Sequence, residues 1–172
     1  MENLLLILAT TLILSRKQPN PYGFKTYSIG HSGCTLYLPN DPGSFKPSFT
    51  KNGDLMYYGE SEDAGVTYGC VTLVLREPLD NLAEAEKALA TFMQTLQKSY
   101  SIDHTAGFSF GYTQKYNNLA RGIVDYWQDA AEVDWKIKGW TNGSVISVMY
   151  VSNIADLPVQ KVDMFLDSFR FA

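Results

Sequence analysis

Residues 107–111 read Gly-Phe-Ser-Phe-Gly and match the G-x-S-x-G pattern that surrounds the nucleophilic serine of α/β-hydrolases. That mechanism needs Ser109 at a turn from a strand into a helix, with an acid and a histidine later in the chain. Both histidines of this chain, His31 and His104, precede Ser109, and the residues after the serine show loop and strand patterns. We therefore interpret the segment as a β-strand with its two phenylalanines buried on one face, and predict no catalytic serine.

A histidine, a serine and a thiol lie close together in the segment Gly30-His31-Ser32-Gly33-Cys34. A histidine beside a cysteine can lower the pKa of the thiol and so create a nucleophile. A tight turn between two strands accounts for both glycines more simply. We predict such a turn and no catalytic residue here. A small hydrolase that uses Ser109 or Cys34 remains the alternative enzymatic hypothesis.

The two cysteines, Cys34 and Cys70, fall on separate predicted strands. In an oxidising compartment a disulfide can join them if the two strands are neighbours. The alternative, which we favour, is a pair of small buried thiols. No Cys-x-x-Cys spacing indicates a zinc or redox site.

Two groups of carboxylates are dense enough to be considered as metal or acid–base sites. Carboxylates bind hard cations such as Ca²⁺, and a pair of them can act as acid and base. Neither group has EF-hand spacing, and acidic residues that alternate along strands usually form a solvent-facing surface. The sequence therefore predicts no metal and no cofactor. The first group comprises Asp125, Asp129, Glu132 and Asp134, and the second, in a predicted acidic loop, comprises Glu60, Glu62 and Asp63.

Aromatic residues with a polar group are numerous, with 11 tyrosines and three tryptophans. Both residue types are enriched at binding surfaces, because they offer a large contact area at low entropic cost. Most of them are expected to pack within the protein. Our hypothesis is that Tyr112, Tyr116 and Trp140 form the rim of a site for a partner or ligand.

Composition and charge narrow the classes of partner. The 172 residues are 45% hydrophobic and 19% charged, which is typical of one globular domain with a substantial core. The formal net charge is −4, and no run of like charges exceeds two residues. Because phosphate contacts need clustered Lys and Arg, the sequence predicts no nucleic-acid partner and disfavours binding to anionic membranes.

The pattern of elements is clearest where residues 134–140 and 145–151 flank Asn142-Gly143. Asn-Gly between two alternating runs predicts a hairpin with a type I′ turn, in which both central residues have positive φ. One face of the hairpin is apolar and the other is mixed, which predicts an antiparallel sheet that packs helices mainly on one side. The predicted pairs are Trp135–Tyr150, Ile137–Val148 and Gly139–Ile146 on one face, and Lys136–Met149, Lys138–Ser147 and Trp140–Val145 on the other.

Other elements follow from periodicity and turn residues. Residues 66–76 are apolar on both alternating positions, which predicts a central strand covered on both faces. Residues 81–100 carry an apolar stripe at helical spacing and begin with a capping pattern, so they predict the longest helix. The prolines within residues 40–49 predict a loop. Shorter strands are predicted at residues 24–29, 35–39, 55–58, 106–113, 120–128, 133–140 and 145–152, and a last helix after Pro158.

This order of elements resembles the Mog1/PsbP-like fold, which includes bacterial envelope lipoproteins and the extrinsic protein of photosystem II. The likeness lies in the strand pairs, one long middle helix, an antiparallel meander and a closing helix that ends in Phe-Leu-Asp-Ser-Phe-Arg-Phe. It covers residues 22–172 and implies an α+β domain, an αβα sandwich with a central antiparallel β-sheet. It also implies a binding or accessory module rather than an enzyme. No functional residue of the family is matched to a position of this chain.

Residues 1–21 have the character of a leader and a linker. Residues 4–14 form an apolar run that suits the h-region of a signal sequence and is short for a membrane span. No Lys or Arg precedes the run, and Arg16 stands where a lipoprotein would need its cysteine. We expect a degenerate export leader, and membrane association only through this segment. The alternative is an N-terminal helix docked on the domain.

Together these patterns predict a non-catalytic binding or accessory protein of the cell envelope or periplasm, whose partner is an unidentified protein or small ligand. The alternatives are the hydrolase described above and a cytoplasmic protein-binding adaptor.

Overall fold

Within residues 20–172, a large antiparallel sheet carries one helix on each of its faces. The computed structural model describes residues 20–172. In this range the elements are β1 (Lys25–Ser28), β2 (Thr35–Leu38), β3 (Lys46–Phe49), β4 (Leu55–Asp63), β5 (Val66–Val74), α1 (Leu82–Ser99), β6 (Ile102–Thr105), β7 (Ser109–Gln114), β8 (Asn117–Asp129), β9 (Asp134–Thr141), β10 (Val145–Ser152) and α2 (Val159–Leu166).

Eight of these strands form one antiparallel sheet. Its order is β3-β4-β5-β10-β9-β8, and β6 and β7 both pair with β8, β6 near its C-terminal end and β7 along the part before it. β1 and β2 form a separate two-stranded hairpin. The chain is therefore an α+β protein with a central antiparallel sheet, as the sequence predicts.

α1 lies on one face of the sheet, mainly against β8 and β9. Its N-terminus is capped by Asn81, whose side-chain oxygen accepts hydrogen bonds from the backbone N–H groups of Ala83 and Glu84. The helix predicted at residues 81–100 is confirmed. Its buried residues recur every three or four positions and face the sheet, namely Ala85, Leu89, Met93 and Leu96.

α2 and the β1–β2 hairpin cover the opposite face. Two of the contacts that hold the segment after α2 link it to β2 and to β7. The backbone of Arg170 pairs with that of Thr35 in β2, and the side-chain amide of Gln114 in β7 donates to the carbonyl oxygen of Phe169 at 3.0 Å. These last residues therefore lie between β2 and β7.

The central strand β5 shows that both faces of the sheet are covered. Tyr68 and Cys70 pack toward α2, whereas Val71 and Leu73 pack toward α1, since alternate residues of a strand point to opposite sides. The central strand predicted at residues 66–76 is confirmed. The expectation, drawn from the hairpin alone, of helices mainly on one side is wrong, because the mixed face is covered by α2.

The register of the β9–β10 hairpin differs by two residues from the predicted one, since Tyr150 lies opposite Ile137 rather than Trp135. The type I′ turn is also wrong, because only Gly143 of the Asn-Gly pair has a positive φ, +90°. The side chain of Asn142 instead accepts hydrogen bonds from the two backbone N–H groups that follow Gly143. Because the shift is an even number of residues, every side chain keeps its predicted face.

Three other segments differ from the predicted elements. Residues 40–49, predicted as a loop, contain the edge strand β3, where Pro47 is tolerated. Residues 60–63, predicted as an acidic loop, form the second half of β4. The strand predicted at residues 106–113 begins only at Ser109, because residues 106–108 connect β6 to β7, and Phe110 is 53% exposed rather than buried.

Both edges of the large sheet are irregular. At one edge, β3 is only four residues long and includes Pro47, which has no backbone N–H to donate. At the other, β7 pairs with β8 through a ladder that is interrupted by register shifts, and Gly111 has a φ of +89°. Neither edge is therefore a long and regular strand.

The predicted leader at residues 4–14 lies outside the described residues. Within residues 20–172, no helix combines the length and the apolar character that crossing a membrane would require.

Candidate functional site

Tyr112 and Trp140 meet on the α2 face of the sheet because a glycine lies between them. Gly122 of β8 pairs with Tyr112 of β7 on one side and with Trp140 of β9 on the other. A Cβ atom at Gly122 would lie 2.6 Å from Cζ3 of Trp140 and 2.9 Å from Cβ of Tyr112. The absence of a side chain at this position lets the two aromatic residues converge across three strands.

Lys138 brings its ammonium group to both aromatic rings. It lies two residues before Trp140 on β9 and therefore on the same face. Its Nζ is 4.7 Å from the ring centroid of Tyr112 and 4.7 Å from that of Trp140, within the range of cation–π attraction. The same ammonium donates a hydrogen bond to the carboxylate of Asp167, at the C-terminus of α2.

A second lysine repeats this arrangement one step along β9. Nζ of Lys136 is 2.6 Å from the carboxylate of Asp163 and 5.3 Å from the ring centroid of Tyr126. Burial alone would lower the pKa of Lys136, but the hydrogen bonds and charges of Asp163 and Tyr126 together outweigh that effect and the pKa is raised. Lys136 and Lys138 lie two residues apart on one face of β9, and Asp163 and Asp167 lie four residues apart along α2 and its C-terminal cap. The two resulting ion pairs hold α2 against β9.

Tyr116, in the turn between β7 and β8, lies between two further cations. Its side chain is 75% exposed. The guanidinium of Arg170 is 5.4 Å from its ring centroid, and Nζ of Lys115 is 5.9 Å from it. Nη1 of Arg170 also donates to the carbonyl oxygens of Asp167 and Phe169, at 2.7 and 2.8 Å, which fixes the direction of the guanidinium.

We name this surface the lysine cleft. It has two adjoining hollows, one of about 260 Å³ beside Arg170 and one of about 460 Å³ beside Tyr126, and both are lined by Lys138 and Asp167. The cleft is formed by Tyr112, Lys115, Tyr116, Tyr126, Lys136, Lys138, Trp140, Asp163, Asp167 and Arg170.

The three residues singled out from the sequence as a binding rim, Tyr112, Tyr116 and Trp140, thus all belong to the lysine cleft. Their positions differ from a simple rim. Trp140 is only 2% exposed and donates from its indole N–H to the carbonyl oxygen of Leu166 at 3.1 Å, so it forms the floor. Tyr112 and Tyr116 are exposed at the sides. That these residues bind a partner stays a prediction.

Exposed large hydrophobic side chains are concentrated on β7, β8 and the turn between them. Five of the seven such residues among residues 20–172 lie there. Three of the five line the lysine cleft, namely Tyr112, Tyr116 and Tyr126. The other two, Phe110 and Leu119, line neither of its hollows.

A second concave surface lies on the α1 face, and we name it the leucine groove. It has a volume of about 500 Å³ and runs between α1 and the β5 side of the sheet, which α1 leaves partly open. Its apolar lining residues are Leu73, Leu75, Leu79, Ala88, Phe92 and Ile146. Polar and charged residues also line it, namely Asn52, Asp54, Glu84, Lys87, Thr91 and Thr95.

The two candidate nucleophiles lie in settings unlike those of an active site. Ser109 is exposed at the start of β7, and the chain continues from it as a strand rather than as a helix. Cys34 is fully buried, and burial raises the pKa of its thiol above the usual value. His31, in the turn before it, is exposed. Ser109 lines the hollow beside Tyr126 together with Lys136 and Lys138, whereas Cys34 and His31 line neither hollow of the lysine cleft.

Both cysteines are free and buried, as the favoured alternative predicts. Cys70 lies in a small polar cluster, with its sulfur 3.2 Å from the hydroxyl of Thr72 and 3.4 Å from that of Ser147. Burial raises the pKa of Cys70 to about 11, although these hydroxyl groups act in the opposite direction. Both thiols are therefore protonated at neutral pH.

Two of the acidic residues near the β8–β9 connection accept hydrogen bonds from tryptophan side chains. Asp125 accepts from the indole N–H of Trp127 at 2.7 Å, and Asp129 accepts from that of Trp135 at 3.0 Å. Burial acts to raise the pKa of Asp129, but hydrogen bonds from the backbone of Val133 and from Trp135 outweigh it and the pKa is lowered. Within residues 20–172, no group of three His, Cys, Asp or Glu side chains could hold a metal ion.

Sequence reasoning missed Gly122, Lys138 and Arg170 as parts of the cleft. The sequence did place Lys136, Lys138 and Trp140 on the same face of a strand, which was described only as the mixed face of the hairpin. Nothing in the local sequence showed that α2 would bring two aspartates to that face.

No model of a known protein family matches this sequence. No curated protein matches it either. The function is therefore argued from the residues of this chain.

Proposed function

We propose that this chain is a non-catalytic binding or accessory protein, and that the lysine cleft is its binding site. The observation that carries the proposal is the convergence of Tyr112 and Trp140 on Lys138 above Gly122, beside the exposed Tyr116. Aromatic rings, fixed cations and an open hollow together offer both apolar area and directional polar contacts.

The proposed fold is the Mog1/PsbP-like sandwich. It is supported by an antiparallel sheet with a helix on each face and by the long helix α1 that precedes the β8–β9–β10 meander. Proteins with this fold commonly serve as accessory modules, which agrees with a binding role. Likeness of fold alone does not give function, so the site carries the argument.

A hydrolase is the second candidate, and the chain offers poor support for it. Ser109 begins a strand rather than the helix that a nucleophile elbow requires, and the Cys34 thiol is buried and protonated. A fluorophosphonate probe should leave Ser109 unlabelled, and iodoacetamide should alkylate Cys34 more slowly than a free model thiol. Rapid labelling of either residue would favour the hydrolase.

The proposed location is the cell envelope, with a cytoplasmic adaptor as the alternative. The support is the apolar run at residues 4–14, which has the length of a signal h-region. The intact mass of the protein from fractionated native cells tests this. A mass lacking the first fifteen to twenty residues in the envelope fraction supports export, and a full-length cytosolic mass contradicts it.

The binding proposal is tested by photo-crosslinking in native cells. The photoreactive residue benzoylphenylalanine is placed at Tyr116 in one variant and at Phe49 in another; both native side chains are 75% exposed, but Phe49 lies on the opposite edge of the sheet. We expect a defined adduct at position 116 that is lost when Tyr112→Ala is added, and none at position 49. No adduct, or equal adducts at both positions, would contradict the proposal.

A further inference from the structure

The hollow beside Arg170 has a positive lining in a chain whose net charge is −4. Three cations and one carboxylate line it, namely Lys115, Lys138, Arg170 and Asp167. The neighbouring hollow beside Tyr126 is lined by two lysines and two aspartates, so its charges balance. The positive lining is therefore a local feature of this hollow.

Two of its three cations have no carboxylate partner among residues 20–172. Lys138 is paired with Asp167. Among residues 20–172, the ion pairs are Lys136–Asp163, Lys138–Asp167 and Lys161–Asp63, and none includes Lys115 or Arg170. Their charge is not neutralised by a neighbouring carboxylate, so an anion that enters the hollow meets uncompensated positive charge.

Arg170 is held in an orientation that suits an anion. Its Nη1 donates to two carbonyl oxygens, whereas its Nε and Nη2 make no hydrogen bond within residues 20–172. Two N–H groups on one edge of a guanidinium match the spacing of two oxygens on a carboxylate or phosphate. Because the backbone of Arg170 is also paired with Thr35, the position of the group is fixed before any ligand arrives.

The remaining walls of the hollow are aromatic. Tyr116 stands exposed at one side, and Trp140 forms the floor. A volume of about 260 Å³ is slightly below the usual range for ligand pockets, which restricts the occupant to a small molecule.

We propose that this hollow binds a small molecule in which a carboxylate or phosphate group is attached to a planar or apolar body. The oxyanion pairs with Nε and Nη2 of Arg170, with Lys115 as a second cation, and the body lies against Tyr116. The inference rests on the proposed binding function and specifies the ligand class of the same site.

The test uses the full chain and four probes at constant ionic strength: benzoate, phenyl phosphate, inorganic phosphate and the neutral benzyl alcohol. Binding is followed by shifts of backbone amide signals in ¹H–¹⁵N spectra. We expect saturable shifts at residues 113–116 and 167–171 with benzoate or phenyl phosphate, and none there with benzyl alcohol. Whichever anionic probe binds more tightly identifies the oxyanion. Inorganic phosphate should bind more weakly than phenyl phosphate, because it lacks the apolar body.

Arg170→Gln should weaken binding at least about ten-fold, since it removes a charged hydrogen-bond donor. The matched control is Arg121→Gln. Arg121 is also half-buried and also donates from Nη1 to two backbone carbonyl oxygens, but it lies outside the hollow. It should bind within about two-fold of the unaltered chain, since no ligand contact is lost.

Two further variants keep the test informative if Arg170→Gln does not fold. Lys115 is exposed, so Lys115→Gln should leave the fold intact and weaken binding by a smaller factor than Arg170→Gln. Arg170→Lys keeps the positive charge but loses the paired N–H donors of the guanidinium, so its affinity should lie between those of Arg170→Gln and the unaltered chain. Equal affinity in Arg170→Gln and Arg121→Gln, or shifts with benzyl alcohol equal to those with benzoate, would overturn the inference.

Failure of the inference can be distinguished from failure of the proposed function. If no anionic probe shifts the cleft signals but the adduct at position 116 forms and depends on Tyr112, the cleft binds a ligand of another class. If neither result is obtained, both proposals fail.

Discussion

The lysine cleft and the leucine groove lie on opposite faces of one sheet and are built differently. On the α1 face, an 18-residue helix is held by a continuous apolar stripe, and the groove beside it is lined mainly by apolar surface. On the α2 face, an eight-residue helix is held partly by two Lys–Asp pairs, and the cleft beside it keeps cations and aromatic rings. A short helix buries less apolar area, and the polar groups that help to hold it also line the cleft.

The two surfaces also differ in how they would recognise another molecule. Apolar burial is not directional, so the leucine groove would accept any apolar surface that fits it. The lysine cleft fixes direction, because the ammonium of Lys138 and the guanidinium of Arg170 are each held by protein oxygens. Directional contacts are the ones that give a site selectivity.

The comparison is tested most strongly by removing one large aromatic residue from each surface. Trp140→Ala should lower the free energy of unfolding by about 3–5 kcal/mol, since it empties a buried site and removes the hydrogen bond to Leu166. Phe92→Ala, on the half-buried wall of the leucine groove, should cost less than half as much. Urea unfolding of both variants measures this, and equal losses would show that the cleft floor is no more important to the fold than the groove wall.

Replacing one glycine on each face should have the next largest effect. Gly122→Ala places a methyl group 2.6 Å from the Trp140 ring and should destabilise the protein by about 1–3 kcal/mol. Gly139→Ala meets the ends of Leu89 and Met93, which are flexible and can move aside, so it should cost less. Urea unfolding gives both values. In addition, only Gly122→Ala should alter the binding of probes to the cleft, and identical binding in the two variants would argue against a cleft built over Gly122.

The contribution of Asp129, which accepts a hydrogen bond from the indole of Trp135, should depend on pH in a defined direction. The pKa of Asp129 is lowered in the folded protein from its usual 3.8, so the carboxylate stabilises the fold above pH 3.8 and loses this contribution as the pH falls through the lowered value. Asp129→Asn should therefore be less stable than the unaltered chain at pH 7, with the difference shrinking below pH 3.8. Thermal unfolding from pH 7 to pH 2.5 measures it; a difference that grows on acidification would contradict the assignment.

The ion pairs of the cleft should have the smallest effect. Asp163→Asn removes the partner of Lys136 and should lower the free energy of unfolding by about 1 kcal/mol or less, because the pair is partly exposed. The loss should decrease further in 1 M NaCl, where the Debye length is only about 3 Å. Unfolding at low and high salt provides the comparison. A loss that is large and independent of salt would mean that these pairs, rather than apolar contacts, hold α2.

Local patterns predicted much of the fold. α1 and the central strand β5 follow from the spacing of their apolar residues, and β10 was predicted with the bounds that the structure shows. The hairpin register was missed by two residues because the Asn142 side chain replaces part of the expected turn hydrogen bonding. β3 was missed because Pro47 argues against a strand unless its position at an edge is known.

The cleft could be predicted only in part. Tyr112, Tyr116 and Trp140 were selected by residue type, and their proximity depends on the order β7-β8-β9 and on the register at Gly122. Arg170 reaches the same place because a backbone bridge to Thr35 carries the segment after α2 back toward β7. Contacts between residues this far apart in sequence leave no local periodicity to read.

The irregular ends of the large sheet have a consequence for behaviour at high concentration. Sheets with long, regular edges recruit strands from other molecules and grow into aggregates. Here Pro47 has no backbone N–H group with which β3 could bond to a further strand. The register shifts in the β7–β8 ladder around Gly111 make the backbone of β7 irregular. We expect the protein to stay dispersed when concentrated, even though Phe49 and Phe110 stand exposed at its two edges.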